Sequence, residues 1–208
     1  MSVRHSLAVT TLVTAGAVLA LTAYPSGSSP AAAATPTAAV AAAGGGNADS
    51  DSYAYQHPCS SQQLSITVTG RAGAPSQRVI AVRNHGKAAC GLSYYPRVDL
   101  GRSTARDNSH NVLPLVPSGL GGPPAFPVHA GHTAYAVIDL DPSGATRGTV
   151  PGIDELNVLA DGDHMANAET RNFPLARGTR VLRPKLGLYR DTVAAAVASM
   201  RLADTPPF

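Results

Sequence analysis

The sequence predicts an all-β protein, a sandwich or barrel of short antiparallel strands, with one disulfide and a short C-terminal helix. Short segments of apolar residues, several of them alternating with polar ones, recur at roughly ten-residue spacing and are separated by Gly, Pro and Asn turns. The chain contains two cysteines, Cys59 and Cys90. Its 208 residues provide enough length for one domain with terminal extensions.

The N-terminal segment has the features of an export signal. Arg4 precedes the stretch 7–23, which carries no charge, and small residues with Ala-x-Ala cleavage sites ending at Ala33 or Ala34 follow it. An uncleaved membrane anchor is the alternative, but an anchor needs about 20 strongly apolar residues. Because no cysteine precedes Cys59, lipidation at the cleavage site is excluded. We therefore expect a secreted, extracellular or cell-wall-associated protein without a membrane span after cleavage.

Composition divides the chain into four parts. Between the signal and residue 51 the only large apolar residue is Val40, so this stretch cannot bury enough surface to fold. The division predicted is a signal peptide at 1–34, a disordered Ala/Gly-rich linker at 35–51, a β-sandwich domain at 52–190, and a C-terminal helix and tail at 191–208.

The two cysteines predict a structural disulfide. An exported chain reaches an oxidising compartment, where a lone cysteine pair forms a bridge. Cys59 precedes the first predicted strand and Cys90 follows the second. We expect the bond to join these two places.

The strands follow from alternation and turn residues. Those predicted are 64–69, 77–84, 90–92, 97–100, 133–140 and 154–160, with weaker segments at 179–182 and 186–189. The side chains expected in the core are Ile66, Val68, Ile80, Val82, Leu92, Val98, Val137 and Val158, and those expected to face solvent are Thr67, Arg83 and Asp139. Asp191 and Thr192 precede an Ala-rich helical segment that ends before Pro206, and this helix is expected to pack on an edge of the domain.

Composition and motifs disfavour two function classes. The 16 basic and 13 acidic residues are scattered, whereas nucleic-acid binding uses positive charge clustered on one face. The chain has no Gly-x-Ser-x-Gly, Ser-x-x-Lys or His-Glu-x-x-His motif. We therefore expect neither an enzyme, nor a cofactor, nor a nucleic-acid partner.

Histidine and methionine residues provide a candidate metal site. His129 and His132 flank a turn, and His164 and Met165 lie in another loop. Imidazole and thioether ligands together suit copper. The alternative is that these histidines are solvated turn residues.

Three further segments have both a functional and a purely structural interpretation. Asp161-Gly162-Asp163 is similar to the start of a calcium loop, although a tight turn explains it equally. Tyr94 and Tyr95 either form a contact patch, or one ring fills the core while the other covers an edge. The Pro-rich segment 113–127 is either a recognition loop or a crossover between sheets.

Cys59 and the strand that follows it, the Asn84-His85-Gly86 turn, and Cys90 followed by the segment 92–100 form an ordered pattern. This pattern resembles a family of secreted actinobacterial proteins, domain of unknown function 4232. The similarity covers about Pro58 to Leu188. The resemblance implies an immunoglobulin-like antiparallel β-sandwich outside the cytoplasm, with no established activity and therefore no functional residue to transfer.

Two departures from the family pattern matter. Tyr94 stands where the family has glycine, and the second cysteine pair found in many members is absent. The C-terminal half is therefore expected to be held by packing alone. Taken together, these observations predict a secreted non-catalytic module that binds a protein or a cell-wall component through its loops. A small extracellular copper-binding protein using His129, His132, His164 and Met165 is the alternative.

Overall fold

The computed structural model of the chain describes residues 47–120, 126–165 and 167–207. The predicted signal peptide, residues 35–46 of the predicted linker and part of the Pro-rich segment lie outside these ranges. Within them the strands are β1 (Leu64–Arg71), β2 (Ala74–Asn84), β3 (Cys90–Leu92), β4 (Arg97–Gly101), β5 (Val116–Pro117), β6 (Phe126–Val128), β7 (Thr133–Asp139), β8 (Glu155–Leu159), β9 (Arg171–Pro174), β10 (Lys185–Leu186) and β11 (Ala203–Thr205), and the α-helices are α1 (Asp51–Ala54) and α2 (Val193–Arg201).

The strands form antiparallel sheets that face each other across one core. A four-stranded sheet has the order β1-β2-β7-β10, a three-stranded sheet has the order β4-β8-β9, and β3-β6 and β5-β11 form two-stranded sheets. The two larger sheets contribute to the same buried cluster, which includes Ile80, Val82 and Ile138 from one and Leu100, Leu156 and Val158 from the other. This arrangement confirms the predicted antiparallel β-sandwich.

The predicted strand faces are confirmed in β1 and β2. Ile66 and Val68 pack against the core, although they are only partly buried, while Thr67 is exposed. Ile80 and Val82 are fully buried. The alternation of the sequence therefore gives the correct register, because a one-residue shift would have turned these side chains to solvent.

The predicted disulfide is also confirmed. Cys59 and Cys90 are bonded, with their Cα atoms 4.8 Å apart. The segment before Cys59 runs parallel to β3, since the Cys59 N–H donates to the Gly91 carbonyl and the Gly91 N–H donates to the His57 carbonyl, each at 2.9 Å. The bond therefore attaches the N-terminal segment to β3.

Strand β7 differs from the prediction at its end. Asp139 was expected to face solvent but is buried, and it accepts a hydrogen bond of 2.9 Å from Gln77 Nε2 on the neighbouring β2. Val137 is buried as predicted, but it lies in a second cluster beneath α2 and not in the main core. The sequence does not alternate here because both faces of β7 are covered.

Helix α2 begins where the sequence predicts, with the Thr192 hydroxyl oxygen accepting a hydrogen bond of 3.2 Å from the Ala195 N–H. It packs on the face of β7 and not on an edge of the domain. Its small residues allow a close approach: a Cβ added at Gly187 would lie 2.5 Å from the Ala196 carbonyl oxygen. The helix backbone thus rests directly on the chain segment after β10.

The segment just before the predicted start of the domain at residue 52 is hydrogen-bonded to the sandwich. Ala48 accepts a hydrogen bond from the Ala89 N–H at 2.9 Å, and Asp49 Oδ1 accepts one from the Ala130 N–H at 2.7 Å. Residues 47–51, which belong to the predicted linker, are therefore held against the sandwich. No helix in the described ranges is both long and apolar enough to cross a membrane.

Candidate functional site

A pocket of 240 Å³ lies where three loops meet at one end of the sandwich. We call it the tyrosine pocket. Its walls come from the β3–β4 loop, from the segment before and including β5, and from the loop after β8. The lining residues used below are Ser93, Tyr94, Tyr95, Arg97, Leu113 and Asp163.

The tyrosine pocket has an apolar interior and a charged rim. Tyr94 and Tyr95 are partly buried, and Leu113 is 54% exposed. Arg97 and Asp163 are both exposed and carry opposite charges. Such a combination of apolar lining with a few polar groups is the usual character of a ligand site.

Hydrogen bonds to the main chain fix the β3–β4 loop. The Ser93 hydroxyl donates to the Tyr95 carbonyl at 2.9 Å, and the Tyr189 N–H donates to the Tyr94 carbonyl at 2.8 Å. The backbone that carries both tyrosines is thus held before any ligand arrives. A wall that is already in place lowers the entropic cost of binding.

Asp161 connects this loop to the loop after β8. Its carboxylate is fully buried and accepts hydrogen bonds from the N–H groups of Ser93, Asp163 and His164 and from His164 Nδ1, at 2.9 to 3.0 Å. The segment 161–163 is therefore a turn whose first carboxylate is occupied by donors, as the structural interpretation of this segment expects.

Tyr189 also holds the loop after β8 in place, through a hydrogen bond at the start of that loop. Its hydroxyl donates to the Ala160 carbonyl at 2.8 Å in a fully buried position. Burial, with a smaller contribution from the negative charge of Asp161, raises the pKa of Tyr189 well above its ordinary value. The hydroxyl therefore stays protonated and remains a donor to the end of β8.

The four predicted metal ligands do not form one cluster. The rings of His129 and His132 lie 5.8 Å apart, but His164 hydrogen-bonds to Asp161 and Met165 is buried in the core. In the part of the chain that the structure describes, no group of three or more His, Cys, Asp or Glu side chains is arranged to hold a metal ion.

His129 instead joins the N-terminal segment to the sandwich. Its Nδ1 lies 3.1 Å from the Asp49 carbonyl oxygen and its Nε2 lies 2.9 Å from Asp51 Oδ1. Burial lowers the pKa of His129, but the hydrogen bonds and negative charges of the two aspartates outweigh this effect and raise it overall. We call this contact the histidine clasp. The sequence pattern gives no sign of this contact, because the partners are some 80 positions away in the chain.

The Asn84-His85-Gly86 motif has a structural role. The buried Asn84 side chain donates to the Ala88 and Val128 carbonyls at 2.8 and 2.9 Å and accepts from the Gly86 N–H at 2.7 Å. A Cβ added at Gly86 would lie 2.9 Å from Asn84 Oδ1. The motif thus closes the β2–β3 turn and ties it to β6.

The fold and the pocket define a disulfide-linked antiparallel β-sandwich with a loop pocket at one end. Over residues 59–186 the sequence matches the family described as Domain of unknown function (DUF4232), and the chain belongs to that family. The matched span includes both cysteines, the Asn84 motif and most of the tyrosine pocket. No curated protein and no solved structure shows a significant match to the chain.

Proposed function

We propose that the protein is a non-catalytic binding module that acts outside the cytoplasm and takes its ligand in the tyrosine pocket. The observation that carries the proposal is a pocket whose tyrosine loop is held in place by the buried Asp161. The ligand class is a partner protein or a cell-wall component. Function residing in loops on a rigid β scaffold is a common arrangement.

Two features support a location outside the cytoplasm. The Cys59–Cys90 bond is of a kind that persists in oxidising compartments and is rare in the cytosol. The N-terminal sequence has the charge and hydrophobicity pattern of a cleaved export signal. A secreted or cell-wall-associated protein is consistent with both.

The chemistry of the pocket supports binding more than catalysis. Ser93, the hydroxyl residue next to the tyrosines, donates its proton to a main-chain carbonyl and not to a base. Nucleophilic catalysis requires a nucleophile, a base and an orienting group in mutual contact. The copper-binding alternative lacks a supporting observation, since His164 and Met165 are engaged elsewhere.

Two exposed leucines provide a matched test. Leu113 lines the tyrosine pocket and is 54% exposed, while Leu202 follows α2, does not line that pocket and is 70% exposed. The native chain and its two variants, Leu113→Asp and Leu202→Asp, are each incubated with purified actinobacterial cell walls. The cell walls are then sedimented, and the protein bound to them is measured. In parallel, a photo-cross-linking amino acid at position 113 or 202 captures protein partners in living cells of the native host.

We expect the native chain and Leu202→Asp to bind equally and Leu113→Asp to lose binding by at least about tenfold, because a charge replaces an apolar contact. Cross-linking at position 113 but not at 202 would identify a protein ligand. Equal binding by both variants, together with no position-specific cross-link, would show that the tyrosine pocket is not the site. Fractionation of host cells tests the location separately, and retention of the chain in the cytosol would refute that part.

A further inference from the structure

Strand β1 carries backbone groups that point away from its own sheet. The Asn84 N–H donates to the His132 carbonyl beside β7, whereas the His85 N–H donates to the Gln63 carbonyl at the start of β1. Since hydrogen bonding alternates along an antiparallel pair, Ser65, Thr67 and Thr69 bond to β2. The N–H and C=O groups of Ile66, Val68 and Gly70 and the carbonyl of Leu64 therefore point outward. The Leu64 N–H is donated to the Ser61 carbonyl within the chain.

The other edges of the two main sheets are covered or shortened. Beside β10, the Leu186 N–H donates to the Leu115 carbonyl at 2.8 Å. Beside β4, Leu100 and Val112 exchange two hydrogen bonds. Strand β9 has four residues, and its outward positions include Pro174, which has no N–H to donate. Among the described edge strands of these sheets, β1 has the longest run of outward backbone groups.

The side chains of β1 do not protect this edge. The run from Leu64 to Gly70 contains no charged residue and no proline, which are two of the means by which edge strands avoid pairing. The irregularity in the register of β1 lies at the end of this run, between Gly70 and Arg71. Its outer face carries hydroxyl groups, and Leu64, Ile66 and Val68 on the inner face are only partly buried. Leu64 and Ile66 also line a groove of 620 Å³ whose opposite wall includes Phe173.

We propose that β1 pairs antiparallel with β1 of a second copy of this chain, around a two-fold axis at Thr67. In this register Thr67 lies opposite Thr67 of the second copy, Ile66 lies opposite Val68, and Leu64 lies opposite Gly70. Ile66 and Val68 are then hydrogen-bonded through both backbone groups, and the Gly70 N–H of each copy donates to the Leu64 carbonyl of the other. A two-fold interface must be self-complementary, and here hydroxyls meet hydroxyls, apolar side chains meet on the inner face, and no like charges meet.

Charge substitution at the axis tests the pairing. Thr67 is exposed, so Thr67→Lys and Thr67→Glu should fold normally, but each brings two like charges together at the axis. By analytical ultracentrifugation from about 10 µM to 1 mM chain, we expect each variant to raise the dimer dissociation constant at least about tenfold. An equimolar mixture of the two should restore dimers as heterodimers. Ala194→Lys, on the exposed face of α2, is the control for Thr67→Lys, because it adds the same charge away from β1.

A cross-link tests the register independently. Residue 67 faces its own copy in a non-hydrogen-bonded pair, where Cα atoms are about 4.5 Å apart, so Thr67→Cys should form an intermolecular disulfide on mild oxidation. Thr69→Cys faces Ser65 of the second copy and should not. The proposal is overturned if the native chain is monomeric up to about 1 mM, or if the charge variants dimerise like the native chain. It is also overturned if positions 67 and 69 cross-link equally, or if β1 is found to accept only a peptide from a different protein.

Discussion

Replacing Gly187 with alanine should disrupt the contact between α2 and the four-stranded sheet. The added Cβ would lie 2.5 Å from the Ala196 carbonyl oxygen, 2.8 Å from the Met200 nitrogen and 3.1 Å from the Met200 Cα. Ordinary van der Waals contact begins near 3.4 Å, so the helix must move by roughly 1 Å. All three atoms are backbone, and therefore no change of side-chain rotamer relieves the clash.

The magnitude follows from what this movement affects. Overpacking of a close contact costs about 1–3 kcal/mol. Movement of the helix also strains the hydrogen bond of 2.9 Å from the Leu188 N–H to Ser199 Oγ, which is worth about 1 kcal/mol. We therefore expect a loss of about 3 kcal/mol in the free energy of unfolding. This is a large share of a total of about 5–15 kcal/mol for a domain.

Urea unfolding followed by circular dichroism measures this loss. With a slope of about 2 kcal/mol per molar urea, the midpoint should fall by about 1.5 M. Gly70→Ala is the matched control, because a Cβ there has no atom within 4 Å. Adding Met200→Ala to Gly187→Ala should not restore stability, since the clash is with backbone. A midpoint shift below about 0.3 M for Gly187→Ala, or rescue by the second substitution, would refute this account of the helix contact.

Two further predictions concern the histidine clasp and the Asn84 turn. Because the pKa of His129 is raised on folding, its stabilising contribution is complete below the unfolded value of 6.5 and is lost as pH rises through the folded value. Urea midpoints should therefore decline more steeply from about pH 6 to pH 8 in the native chain than in His129→Gln. The control is His110→Gln, in an exposed loop, which should behave like the native chain. Identical pH profiles for His129→Gln and the native chain would contradict the clasp. Asn84→Ala removes three hydrogen bonds from a buried site and should cost about 2–4 kcal/mol, against less than about 0.5 kcal/mol for the exposed Asn172→Ala. Thermal unfolding compares the two, and equal losses would show that Asn84 is not a structural anchor.

The longer strands were predictable because their sequences carry the periodicity of a sheet. β1 alternates apolar and polar residues and was placed in the correct register. The predicted segment 179–182 is not a strand, and β5, β6, β9 and β11 were not predicted. These are two to four residues long, and β5, β6 and β9 contain proline, so they form through tertiary pairing and not through local pattern. Asp139 was misplaced because a strand covered on both faces has no alternation to indicate which side is buried.

The candidate site was predictable only in pieces. Tyr94-Tyr95 and the Pro-rich segment were each recognised as a contact surface or an ordinary structural element, but their meeting in one pocket depends on the packing of three loops. The sequence indicates Asp161 as an acidic turn residue, but its partner Ser93 lies 68 positions away. Such long-range hydrogen bonds leave no trace in spacing or composition.

The position of the disulfide determines how the domain transmits mechanical load. A pull on the chain at Asn47 would first break the hydrogen bonds of Ala48 and Asp49 and the histidine clasp. It would next shear the two hydrogen bonds between the segment 57–59 and β3, and would then reach the covalent bond at Cys59. From there the tension passes through the bridge to Cys90. Strands β1 and β2 lie entirely within the loop that the bridge closes, so neither is peeled from the sheet. The β1 edge would keep its shape on a domain under tension, since force from the N-terminal side bypasses it.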